Sequence, residues 1–167
     1  MHFVDRLFIP LYDMVHDVTI GIIEAVPEEK LESRPYATAK TIREHIVHIA
    51  SVERAFALGA AGHGWEFEET GYDPADFQGR TALWNLVLQT RDEVVSLARS
   101  ISAHRLNERA STPWGFEASP AQLLLMLRDH TNNHNGKLSV YLRIEEIEPP
   151  FFVALGIDTF QDLLPDV

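Results

Sequence analysis

His130 and His134 stand four residues apart in a segment, Ser119 to Arg143, that otherwise reads as one long core-facing helix. Residues four apart share a helix face, with about 5–6 Å between Cβ atoms, so both imidazoles can reach one metal ion. The apolar stripe Leu123, Leu127, Leu138 and Tyr141 runs through both positions. This pattern predicts that the histidines replace hydrophobic residues inside the core face. A bundle core does not need two imidazoles; a metal site does.

A third ligand must come from elsewhere, and the stretch Thr41 to Glu53 offers His45 and His48. At about 100° per residue, His45 falls near the apolar face centred on Ile42 and Ile49, and His48 lies on its shoulder. Periodicity alone slightly favours His45. A lone histidine on an apolar face is ordinarily a hydrogen-bonded core residue; the pair at ligand spacing and the candidates on a second helix are what point to a metal. Three neutral imidazoles bind a borderline divalent cation at about 2.0–2.1 Å and leave coordination positions open, the arrangement of a catalytic site. Such an ion lowers the pKa of a bound water to about 7 or holds a thiol as thiolate. The chain has no cysteine, so disulfides and thiolate metal sites are excluded and any sulfur nucleophile must arrive with a substrate.

Other chemistries fail on spacing. A carboxylate-bridged di-iron bundle requires Glu-x-x-His on two helices and further glutamates, and neither pair is present. No Gly-rich phosphate loop, Gly-x-Ser-x-Gly elbow or His-Glu-x-x-His motif occurs. Of the acidic residues near the histidines, Glu44 stands three residues after Thr41, the capping-box spacing, and is also placed to orient an imidazole. Glu53 falls on the apolar face about 140° around from His48, which predicts a buried ion pair rather than a ligand. Asn133 and Asn135 are expected to face other helices or solvent. Gly136 costs about 1 kcal/mol inside a helix, which calls for close helix packing or substrate access. His2, His16, His63 and His104 read as surface or packing residues.

Four helical segments position these residues, and no strand pattern competes with them. The first runs from about Val4 or Pro10 to Val26 on Leu7, Leu11, Val15, Val18 and Ile22. The second starts at a Thr41 cap, carries Ile42, Ile46, Ile49 and Phe56, and ends in Gly59-Ala-Ala-Gly62. The third spans roughly Thr81 to Ile101 on Leu83, Trp84, Val87, Val94, Ala98 and Ile101. Ser119 caps the fourth, with Pro120 at its first position, and Pro149-Pro150 stops that helix or its continuation. The long acidic, aromatic stretch from His63 to Gly79, with Trp65, Phe67, Tyr72 and Phe77, is either a functional loop or a crossover whose aromatics cap the core.

With 167 residues, 46% hydrophobic and 23% charged, the chain is expected to form one domain over residues 1–167, with 149–167 as a packed C-terminal tail. Its net charge of −11 and scattered basic residues argue against nucleic acid as a partner. No stretch approaches the roughly 18 apolar residues of a membrane span, which makes a membrane role unexpected and the cytoplasm the expected location.

The Thr-Ile-Arg-Glu-x-x-x-His48-Ile-Ala-x-x-Glu53-Arg stretch, followed about 80 residues later by His130-x-x-x-His134-x-Gly136-x-Leu, resembles the DinB/YfiT-like metalloenzyme superfamily. Leu31-Glu-Ser-Arg-Pro35 and Pro113-Trp-Gly115 resemble its loops, so the likeness covers about residues 3 to 145. The resemblance implies an all-α four-helix bundle, up-down-down-up, with a divalent metal, zinc or nickel, on His48, His130 and His134. It selects His48 over His45, and on this assignment replacing His45 is expected to matter little. It further implies a metal-dependent transferase or hydrolase acting on a small molecule, with a low-molecular-weight thiol as cosubstrate in S-transferases and mycothiol-dependent isomerases, and a homodimer. The chain departs from the family's His-Arg-Gly-Gln ending, having His134-Asn-Gly136-Lys137; the histidines are intact, but the Arg and Gln are absent. The alternative is a non-catalytic bundle, metal-binding or metal-free and dimeric, that holds a ligand or partner without turnover.

Overall fold

The computed structural model describes residues 3–65 and 71–150. Four α-helices dominate it: α1 Ile9–Ala25, α2 Ile42–Ala61, α3 Gly79–Ser100 and α4 Pro120–Ile144. A two-residue hairpin, β1 Ala110–Ser111 paired antiparallel with β2 Glu117–Ala118, sits in the connection between α3 and α4. Strands this short leave no periodicity in the sequence.

Local signals explain where the helices begin and end. Thr41 and Glu44 form a reciprocal capping box: the Thr41 hydroxyl accepts from the Glu44 N–H at 3.1 Å and the Glu44 carboxylate accepts from the Thr41 N–H at 2.7 Å. Glu44 is therefore spent on the helix end and does not orient an imidazole. Gly62 closes α2 in the left-handed region at φ 88°, where a side chain would be strained. Ser119 and Gln122 repeat the capping box at α4, with Pro120 just inside. Removing the cap in Thr41→Ala is expected to cost about 1 kcal/mol. In a chain of this size that is a fall in melting temperature of about 2–4 °C, read by thermal circular dichroism.

Two apolar clusters give the helix directions. At one end Tyr12 and Val15 of α1 meet Phe56 and Ala60 of α2, Val94 and Ala98 of α3, and Leu123 and Leu127 of α4. At the other, Val18 and Ile22 meet Ile42 and Ile46, Leu83 and Val87, and Leu138 and Leu142. The start of α1 thus faces the ends of α2 and α3 and the start of α4. The bundle is up-down-down-up, as expected. Salt bridges along the α1–α3 seam repeat the antiparallel register, Arg99 on Asp5 and Arg91 on Asp13.

Because α2 and α3 run parallel, α3 begins at the opposite end of the bundle from the end of α2, and the described aromatics between them close both ends. Trp65 packs edge-on to Phe56 at 5.9 Å between ring centroids, while Tyr72 and Phe77 pack on the opposite cluster. The crossover reading of this stretch holds for the described aromatics; Phe67 and the tail 151–167 lie outside the described residues.

Two stripes differ from the expected ones. A single π turn, Val4–Phe8, precedes α1 and shifts the helical phase, so Phe8 and Tyr12 are fully buried while Leu7 is 46% exposed. On α3, Trp84 is 38% exposed, and Leu86 and Thr90 take inward positions.

Candidate metal centre

Between the two apolar clusters lies a layer of buried polar side chains: Tyr12, His16 and Thr19 from α1, Glu53 from α2, Thr90 from α3, and Thr131 and Asn135 from α4. Thr131 and Asn135 continue the stripe of Leu123, Leu127, Leu138 and Leu142 through the middle of α4. His130 and His134 therefore do not replace core residues. They stand one step around the helix, half-buried, where an ion can be reached from outside the core.

His48 occupies the same kind of shoulder on α2, opposite them. One ring nitrogen from each of His48, His130 and His134 lies within 4.8 Å of the other two. The ring centroids are 4.2 Å apart for His130 and His134, 5.3 Å for His48 and His130, and 4.9 Å for His48 and His134. Three nitrogens this close can converge on one cation after small rotamer changes.

Burial keeps the set neutral. It pushes His130 down to about 4 and His134 down to about 3, with neighbouring imidazoles and Lys137 adding to the effect. Burial also lowers His48, with help from the charges of Lys40 and Lys137. Neutral imidazole is the form that ligates, and Nδ1 of His130 is buried with no partner among the described residues. The donor set, all nitrogen and all uncharged, fits zinc or nickel better than the oxygen-seeking calcium or magnesium.

His45 is more buried than any of the three, at 5% exposed, as its position on the helix wheel predicted. The wheel located the core correctly, but a ligand needs the shoulder. His45 remains outside the convergent trio, yet it touches it: Nε2 of His45 is 2.6 Å from Nδ1 of His134, and its ring meets Tyr141 edge-on.

Glu53, only 1% exposed, makes no buried ion pair among the described residues. Its two oxygens accept from the Tyr12 hydroxyl at 2.9 Å and the Thr131 hydroxyl at 2.7 Å. Burial raises its pKa to about 7, against the lowering effect of those two hydrogen bonds. The only sequence signal for this network was a carboxylate on an apolar face. Because the folded-state pKa is raised, folding takes up a proton between about pH 4.5 and 7, so Glu53 costs stability increasingly as pH rises through that window. The buried histidines act in the opposite sense: with pKa values lowered from 6.5 they cost stability as pH falls below that value. In metal-free protein the comparison with Glu53→Gln cancels the histidine contribution. The Gln variant is expected to be more stable at pH 8, by on the order of 3 kcal/mol, and to converge with the wild type near pH 4.5, as read by urea unfolding at each pH.

The remaining polar residues serve the bundle. His16 donates from Nε2 to the Val87 carbonyl at 3.0 Å. Asn135 ties α4 to α1, accepting from Thr19 at 2.9 Å and donating to the Val15 carbonyl at 2.7 Å, while Asn133 is exposed. His63 and His104 are exposed; His2 lies outside the described residues. Close packing among the described residues does not explain Gly136, where a Cβ would meet none of them within 4 Å. It borders a cavity of about 320 Å³ with Val18, Asn132 and Ser139, on the side of α4 turned away from His134.

The family model of the DinB superfamily matches residues 11–138. Among solved structures, the chain is similar to a DinB-like protein of Bacillus subtilis, with 17% identity and a TM-score of 0.69 over 83% of this chain and 91% of that one. It is likewise similar to a DinB-like protein of Bacillus cereus, with 16% identity and a TM-score of 0.70 over 86% and 93%. A DinB-family member of Exiguobacterium sibiricum shares 20% identity with a TM-score of 0.64 over 98% and 99%. At these identities the likeness speaks for the fold alone. No curated protein matches the chain in sequence.

Proposed function

Since the chain belongs to the DinB superfamily, we propose that it is a divalent-metal-dependent enzyme, of thiol-transfer or hydrolytic type, acting on a small molecule. The observation that carries this reading is the convergence of His48, His130 and His134 from two helices, with their ligand nitrogens within 4.8 Å of one another. These three side chains would hold the ion, zinc or nickel by the chemistry of the donors. When bound, it supplies Lewis acidity that makes a thiol or water nucleophilic near neutral pH.

The chain's own residues support that chemistry in three ways. Burial holds the imidazoles neutral, so no ligand must lose a proton at pH 7. The half-buried placement of all three leaves an approach from solvent. The apolar clusters on either side of the polar layer keep the helices in register independently of the ion, so the site is pre-organised.

Among the described residues the group holds three side chains, which leaves coordination positions for a substrate. That favours turnover over the purely sequestering bundle, whose site would be completed by a further protein ligand. No described helix is long and apolar enough to cross a membrane, in keeping with a small-molecule substrate met in water. The test is elemental analysis of untagged protein, followed by thiol-consumption assays in which low-molecular-weight thiols meet a panel of electrophiles. One equivalent of metal with metal-dependent thiol consumption or substrate hydrolysis supports the reading. A metal-free preparation that takes up neither zinc nor nickel refutes it.

A further inference from the structure

His45 is a histidine where the α2 pattern asks for an apolar residue. It is buried, its Nδ1 has no partner among the described residues, and leaving such a nitrogen unsatisfied costs about 1–3 kcal/mol. A leucine there would avoid that cost. Beside its edge-on contact with Tyr141, what the imidazole gains among the described residues is one hydrogen bond, Nε2 to Nδ1 of His134 at 2.6 Å. His134 cannot turn away freely, because His45 on one side and His130 on the other lie with ring centroids at 4.7 and 4.2 Å.

We infer that His45 is a positioning residue for the metal centre, accepting a hydrogen bond from Nδ1–H of His134 and so holding His134 in the tautomer whose Nε2 lone pair is free to ligate. The inference rests on the metal-centre reading and reverses the expectation that His45 is dispensable. A neutral imidazole carries one proton on two nitrogens, and a partner at one nitrogen decides which of them keeps a lone pair. Metal-binding histidines are commonly held in this way by a carboxylate or a carbonyl, and loss of the partner typically costs about 10–100-fold in affinity. Here another imidazole does the holding. In that pairing His45 must itself carry its proton on Nδ1, the nitrogen left without a partner. His45 is not a ligand, since it stands outside the convergent trio and its ring centroid is 6.5 Å from that of His48.

The test compares His45→Leu, which keeps the volume and loses the acceptor, with His45→Gln, which restores an acceptor at similar reach. Zinc affinity is measured by competition with a chromophoric chelator, and the visible spectrum of the cobalt-substituted protein reports ligand geometry. Circular dichroism checks the fold of each variant. His45→Leu is expected to bind zinc about 10–100-fold more weakly with altered cobalt bands, and His45→Gln to lie within a few-fold of wild type. In the zinc-loaded wild type, long-range proton–nitrogen NMR is expected to show His134 protonated at Nδ1, a readout that needs no variant.

Undiminished affinity in His45→Leu overturns the inference, as does equal weakening in the Leu and Gln variants, which would make the role one of packing. A loss in His45→Leu as complete as in His134→Ala would make His45 a ligand, and metal found on Nδ1 of His134 would equally end the proposal. Wild-type protein that binds neither zinc nor nickel refutes the metal-centre reading itself, and this inference with it. A wild type that binds through the three histidines beside an unimpaired His45→Leu refutes this inference alone.

Discussion

Alanine at His48, at His130 or at His134 will each remove stoichiometric zinc or nickel binding, with a loss larger than the roughly 10–100-fold expected for a supporting residue. The reason is the size of the set. Among the described residues the convergent group has three nitrogens and no carboxylate to replace a missing one. Each substitution leaves the bundle standing, because none of the three belongs to either apolar cluster. Titration calorimetry with circular dichroism on the same samples separates loss of ligand from loss of fold. Full retention of metal by any one of the three variants would remove that histidine from the site.

Stripping the metal with a chelator will abolish turnover while the helical spectrum persists, and zinc or nickel will restore the rate. The two leucine-, isoleucine- and valine-rich clusters bury their side chains at both ends of the bundle, so folding does not wait for an ion. Acid should do what the chelator does, at a pH the site itself sets. In free solution an imidazole begins to compete for protons near pH 6.5. Here burial first, and neighbouring charges second, take His130 down to about 4 and His134 down to about 3. Proton competition at these two proposed ligands thus starts well below the usual range, and metal should be retained at pH 5 and released as pH falls further. Equal activity with and without metal would sink the mechanism, and collapse of the helices on chelation would recast the ion as structural.

How far the chain could be read in advance depends on the range of the physics involved. Helix existence and ends were legible because they are local. Thr41 and Glu44, Ser119 and Gln122, Pro120 and Gly62 act on backbone groups within a few residues of themselves. The pair His130 and His134 was legible for the same reason, since four residues is one turn. The direction of the helices followed only from resemblance, because a four-helix pattern is compatible with several connections. The structure decides it through the pairing of cluster residues from opposite ends of the sequence.

The fine placement of the histidines was not legible. The stripe through Leu127 and Leu138 pointed to His130 and His134 as core positions, but the core runs through Thr131 and Asn135, one step around, because α1 presents Val15 and Thr19 there. Choosing between His45 and His48 needed the position of α4 across the bundle, which no wheel drawn on α2 contains. Glu53 showed the same limit. Its burial followed from its face, but its partners, Tyr12 41 residues away and Thr131 78 residues away, did not. Periodicity says which way a side chain points, since that is a property of one helix. What it meets is a property of the neighbouring helix, and only the packed bundle brings His45 to His134, 89 residues apart in the chain.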